Sequence, residues 1–132
     1  MTIRYKRPDH KNALSIIEAA RRDMKYTLSL RITEDATTTI VRNIYECFRM
    51  LGDALLVIQG TKSEDHVTAI NELLKLTVKT NRAILLVDNL RRLRHNINYY
   101  GYKPTLEEAT DAVSIAKACF EPLFDVVFKE IK

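Results

Sequence analysis

Ile40-Val41-Arg42-Asn43-Ile44-Tyr45-Glu46-Cys47-Phe48-Arg49-Met50-Leu51 opens the stretch that decides the fold, and it runs on through Leu55 and Ile58 to Gly60. Ile40, Ile44, Phe48, Leu51, Leu55 and Ile58 recur at spacings of three and four residues, which lines them up along one stripe of an α-helix. Val41 and Tyr45 flank that stripe. The pattern predicts a helix over residues 35–59. Thr33-Glu34-Asp35 supplies a restart before it, with acidic residues suited to a helix N-terminus, and Gly60 supplies the stop.

The same period extends outward in both directions. Ala13, Ile17, Ala20, Met24 and Leu28 form a stripe on a helix expected from Asp9, as N-cap, to about Leu30. Arg21, Arg22 and Lys25 fall away from that stripe. Ser63 is read as the cap of a shorter helix reaching about Leu76, with Val67, Ile70, Leu73 and Leu74 inward. The β-branched run through Thr77 and Val78 then weakens helix propensity. A fourth helix is expected over 79–100 with Leu86, Leu90, Leu93 and Ile97 inward, ended by Gly101 and followed by Pro104. Thr105 and Glu108 carry a capping-box spacing at the start of a fifth helix with Ala109, Ala112, Val113, Ala116, Phe120, Leu123, Val127 and Ile131 inward. Pro122 is expected to kink it, because its ring excludes the bond to the carbonyl of Ala118. Residues 1–8 read as a flexible N-terminal segment. The fold expected is all-α: one domain over 1–132, an up-and-down antiparallel bundle of about five helices with short loops.

Composition agrees with that reading. Hydrophobic residues make up 46% and charged residues 29%, as in an ordered globular chain, and three Gly with three Pro are too few for a turn-rich β fold. No apolar run approaches the roughly 18–20 residues of a membrane span. No apolar segment follows Arg4, Lys6 and Arg7 as it would in a signal peptide. Cytoplasmic location is the expectation. Cys47 and Cys119 lie far apart without metal-ligand spacing and read as small buried residues rather than a disulfide or zinc site. No glycine-rich phosphate loop, nucleophile elbow or H-E-x-x-H is present, and no cofactor is expected. The formal net charge of +4 favours acidic partners such as RNA or nucleotides.

The densest polar signal is Leu90-Arg91-Arg92-Leu93-Arg94-His95-Asn96-Ile97-Asn98-Tyr99-Tyr100-Gly101-Tyr102. At helical pitch Arg91, Arg94, His95 and Asn98 share one arc, beside the apolar stripe. Two guanidinium groups can hold a phosphate bidentately. The imidazole of His95 is a residue type suited to proton transfer. Tyr99, Tyr100 and Tyr102 can stack on bases. The plain alternative is a solvated basic face favoured by the helix dipole. His10 and His66 read as surface or packing residues, and Asp53 and Asp88 have no evident carboxylate partner.

The segment Leu90 to Asn96 running into Tyr99-Tyr100-Gly101-Tyr102 and Pro104, together with Tyr45 to Gly60 and Gly60 to His66, resembles the HEPN superfamily of helical bundles. The resemblance covers most of the chain from about Ile40. It implies a homodimer that binds RNA or nucleotides, with ribonuclease toxins among its members and a nucleotidyltransferase-like antitoxin as a typical partner. The family's catalytic signature is an Arg followed after four to six residues by a His. Arg91 and Arg94 match the Arg element. The His position falls on Asn98 counting from Arg91, and on Tyr99, Tyr100 or Gly101 counting from Arg94. The expectation is therefore phosphate binding by Arg91, Arg94, Asn98, Tyr99 and Tyr102 without robust catalysis. The alternatives are a metal-independent endoribonuclease using His95, and an interaction module for the nucleotidyltransferase-like partner. Val41 and Tyr45, apolar residues off the main stripe of their helix, are read as support for the dimer.

Overall fold

The carboxylate of Asp9 accepts a hydrogen bond from the backbone N–H of Asn12 at 2.9 Å and starts the first helix, α1 (His10–Leu28). From there a computed structural model describes residues 3–5, 7–63 and 66–132 as an all-helical bundle with one short strand pair. After α1 come α2 (Thr37–Ile58), α3 (His66–Leu74), α4 (Leu86–Tyr100) and α5 (Leu106–Ile131). β1 (Ile3–Tyr5) and β2 (Thr61–Ser63) pair antiparallel, Arg4 opposite Lys62. Residues 3–5 thus hold a strand within the segment expected to be flexible.

α2 is the hub, packing against α1, α3, α4 and α5. That position explains why it is apolar around so much of its circumference. Ile40, Ile44, Phe48 and Leu51 are buried as the stripe predicts, and so are Val41, Tyr45, Cys47 and Ala54. Val41 and Tyr45 are therefore covered within a single chain. They do not supply a surface for a second copy, and the support they were expected to give a dimer falls away. α3 comes unusually near α2: a Cβ added at Gly52 would stand 2.0 Å from the carbonyl oxygen of Ala69, so only glycine fits there.

α3 is shorter than expected and turned: Ala69, Ile70 and Leu73 are buried, while Val67 is 42% exposed. Capping by the Ser63 side chain, and the surroundings of the His66 ring, fall outside the described residues. α4 starts at Leu86 rather than Lys79. The intervening backbone is committed elsewhere. The Arg82 carbonyl accepts from the Thr80 hydroxyl and from the Cys119 thiol (3.3 Å), and the Arg82 guanidinium holds Asp111 of α5 at 2.7 Å. Three successive bonds, Leu86 N–H to Ala83, Val87 to Ile84 and Asp88 to Leu85, then wind a tight turn into the helix. Its core positions are Val87, Leu90 and Ile97, with Leu86 and Leu93 half-buried at the rim.

α4 ends at Gly101, whose φ of 64° is the left-handed conformation that closes a helix and disfavours a side chain. α5 begins with the reciprocal capping box that Thr105 and Glu108 predict. It runs from Leu106 to Ile131 as one helix across Pro122. Cys47 and Cys119 are buried free thiols. Burial, reinforced by Asp23 and Glu46, pushes the Cys47 thiol up to about 12, so it stays protonated and unreactive at neutral pH. Among the described residues, no helix is long and apolar enough to cross a membrane.

Candidate functional site

The polar arc of α4 meets a second polar row on α2. Arg42, Tyr45, Arg49 and Asp53 are spaced three, four and four residues apart, so they share one face of α2. The Arg42 Nε donates to Asn98 Oδ1 at 3.0 Å, and the Arg94 guanidinium lies 5.7 Å from the centre of the Tyr45 ring. Partner numbers fall on α4 as they rise on α2, so the two helices run antiparallel and their polar rows form one seam.

Charge along the seam is partly compensated. Arg49 is gripped from both sides of its own helix, by Asp53 at 2.5 Å and by Glu46. Burial opposes the charge on Arg49, but these two carboxylates outweigh it and the guanidinium pKa is raised. The Arg91 Nε donates to Asp88 Oδ1 at 2.8 Å, which raises its pKa as well, and Arg92 reaches the other oxygen of Asp88 at 3.5 Å. Asp53 and Asp88, without evident roles in the sequence, are thus the counter-ions of Arg49 and Arg91. Arg42 and Arg94 make no ion pair among the described residues. They are the cations with charge to offer a ligand.

Tyr45 stands beneath Arg94 with its side chain buried. Burial raises its hydroxyl pKa to about 12 against the opposing pull of Arg94, Arg49 and Arg91. A neutral phenol with that pKa is no base at physiological pH. Its ring instead presents a π face to the guanidinium.

His95 points away from this seam's bonds. Its exposed ring stacks on Tyr99 at 4.6 Å and meets Tyr100 edge-on at 5.8 Å, and both tyrosines are exposed. Tyr102 does not join them: its hydroxyl donates to Glu108 at 2.5 Å, the same carboxylate oxygen that accepts from the Thr105 N–H. That bond raises the Tyr102 pKa and assigns the residue to the start of α5. Of the residues singled out in the sequence, Arg91, Arg94 and Asn98 come together on the seam. His95 and Tyr99 form an aromatic group next to it. The α2 contribution from Arg42, Tyr45 and Arg49 was not singled out, although their regular spacing with Asp53 marks a polar line down an otherwise apolar helix. His10 is also more than a surface residue, since its Nδ1 lies 2.5 Å from the Ile131 carbonyl and joins the start of α1 to the end of α5.

No family model, no curated protein and no solved structure matches this chain.

Proposed function

We propose that the protein binds the phosphates of RNA or of a nucleotide along the α2–α4 seam and does not cleave them efficiently. The observation that carries this reading is the pair Arg42 and Arg94. They come from two helices, lie one turn apart along the seam, have no carboxylate partner among the described residues, and flank the Asn98 amide. Arg91 and Arg49, already neutralised by their carboxylates, frame the seam. Binding a phosphate to Arg42 and Arg94 requires no ion pair to break, whereas Arg91 would first have to leave Asp88. The exposed rings of Tyr99 and Tyr100 continue the surface from Asn98 and offer faces for a base.

The chemistry of the residues favours binding over cleavage. A metal-independent attack by a ribose 2′-hydroxyl needs a group that exchanges protons near neutral pH. Asn98 cannot do this, and Tyr45 holds its proton until about pH 12. His95, the one imidazole nearby in sequence, is engaged with Tyr99 on the outer surface. The HEPN-like resemblance supports the same assignment, with the Arg element present and the His element absent.

The test is fluorescence anisotropy and gel analysis of a labelled single-stranded RNA in EDTA, with wild type and Arg42→Ala/Arg94→Ala at two salt concentrations. Wild type is expected to bind without cutting. With two phosphates neutralised, by Arg42 and Arg94, its affinity should fall roughly sevenfold between 50 and 200 mM salt. The double variant should bind about tenfold more weakly and with a shallower salt dependence. Equal binding by the variant would refute the seam. Cutting that disappears in His95→Ala would replace this reading with the ribonuclease.

A further inference from the structure

The rings of α4 form a row beside the seam, on its solvent side. Counting about 100° per residue from Asn98, His95 and Tyr99 follow at about 60° and 100°, turned away from the buried Leu90 and Ile97. Tyr99 and Tyr100 are 69% and 76% exposed, and His95 is exposed with them. Their faces are therefore open to a ligand. Three exposed rings gathered at one helix end make a patch rather than scattered surface residues.

The row is already ordered. His95 lies 4.6 Å from the Tyr99 ring, and Tyr100 meets it edge-on at 5.8 Å. One face of Tyr99 is thus covered by a neighbour and the other is left free. A base laid on that free face continues a stack that the protein has begun, so few side chains need ordering first. The adjoining cations are Arg42 and Arg94, one turn apart along the seam.

Charge and rings ask for different parts of a nucleic acid. Phosphates satisfy the guanidinium groups, and base faces satisfy the rings. A duplex presents its phosphates but keeps its base faces stacked inside, where the tyrosines cannot reach them. It also carries one charge per about 1.7 Å of axis, against about 3.4 Å for one strand, so cations acting alone favour the duplex. We infer, resting on the phosphate reading of the seam, that its ligand is an unpaired polynucleotide strand. Consecutive phosphates sit on Arg42 and Arg94, and the bases lie on the row of His95, Tyr99 and Tyr100. Phosphates and base faces are common to ribose and deoxyribose strands, so the sugar is not what this surface reads.

Fluorescence anisotropy in EDTA at one fixed salt concentration tests the assignment. The probes are a labelled strand without self-complementarity, the same strand annealed to its complement, and inorganic tripolyphosphate as competitor. Wild type is compared with Tyr99→Ala/Tyr100→Ala, whose fold is checked by circular dichroism. Wild type should bind the strand about tenfold more tightly than the duplex, and the variant should lose about tenfold on the strand alone. Duplex and tripolyphosphate binding should be unchanged in the variant, so the preference for the strand disappears or inverts. RNA and DNA forms of the strand should behave alike. Three results overturn the assignment: wild type holding duplex as tightly as strand, strand affinity unchanged in the tyrosine variant, or RNA bound where DNA of the same sequence is not. If one of these occurs while tripolyphosphate still binds wild type and not Arg42→Ala/Arg94→Ala, the phosphate seam stands and only the strand selectivity fails. Tripolyphosphate that binds neither protein removes both.

Discussion

Helices α4 and α5 leave the same turn in opposite ways and are held by opposite means. α5 begins with two reciprocal hydrogen bonds between Thr105 and Glu108, gains a third from Tyr102, and buries ten residues along its length. α4 begins without any side-chain cap, buries only Val87, Leu90 and Ile97, and leans chiefly on α2. Beside the half-buried Leu86 and Leu93, its contacts with α2 include polar ones, Asn98 with Arg42 and Arg94 on Tyr45. The difference teaches where a small bundle can place binding groups. A helix that carries the core has its faces committed to apolar neighbours. A helix attached along one edge can bring a row of guanidinium and amide groups against the hub and still show them to solvent.

The comparison breaks or sharpens first on truncation of buried side chains. Leu123→Ala in α5 should cost roughly 3–4 kcal/mol in urea unfolding, because the site is fully enclosed, while Leu93→Ala on the half-buried rim of α4 should cost about 1 kcal/mol. Equal losses would mean that α4 is as integral to the core as α5.

The next effect reads the seam by its titration. Tyr45 is an acid whose pKa rises on folding, from 10.0 to about 12, so its neutral form is favoured in the folded chain. Its contribution is complete below pH 10 and is lost as the pH climbs from 10 to 12. The size is on the order of 2–3 kcal/mol. Cys47 rises from 9.0 to about 12 and loses its own contribution across an overlapping window, so the measurement belongs on a Cys47→Ala background. There, stability against pH should fall more steeply between 10 and 12 with Tyr45 than with Tyr45→Phe. Parallel curves would remove Tyr45 from the buried seam.

Smaller effects follow at the helix ends and on the surface. Thr105→Ala deletes the α5 cap and should lower stability by about 1 kcal/mol. Arg42→Ala and Arg94→Ala, each without a carboxylate partner, should change it by less than about 1 kcal/mol. A larger loss at either arginine would identify a structural strut rather than a free cation.

The sequence displays α5 almost completely, since a capping box, a sustained apolar period and a single long run are all local signals. α4 is legible at its end, where Gly101 and Pro104 stand, and illegible at its start. Residues 79–85 have a helical pattern, but the Arg82 carbonyl is claimed by Thr80 and Cys119 and the Arg82 guanidinium by Asp111, and two of those three partners lie on α5. Side-chain rotation of α3 was hidden for a similar reason: Ala69 faces Gly52, and nothing in α3 itself announces the gap it fills. For the seam, the α4 half shows as a dense basic run. The α2 half is obscured, because Arg42, Tyr45 and Arg49 are scattered among apolar neighbours, and only the antiparallel pairing of the helices turns them into a site. The partner of the Tyr102 hydroxyl is not legible either, because proximity to Tyr99 in sequence says nothing about Glu108, which lies one helix turn beyond the loop.

The contact between Gly52 and the Ala69 carbonyl also bears on how relatives of this chain are to be recognised. An atom at the Cβ position cannot coexist with that carbonyl at 2.0 Å, so glycine here is a spacing gauge between α2 and α3. A chain with the same helical order but alanine or anything larger at this point must seat its third helix farther out and fill the space with different side chains. Position 52 therefore sorts descendants that keep this helix spacing from those that have abandoned it, by one residue.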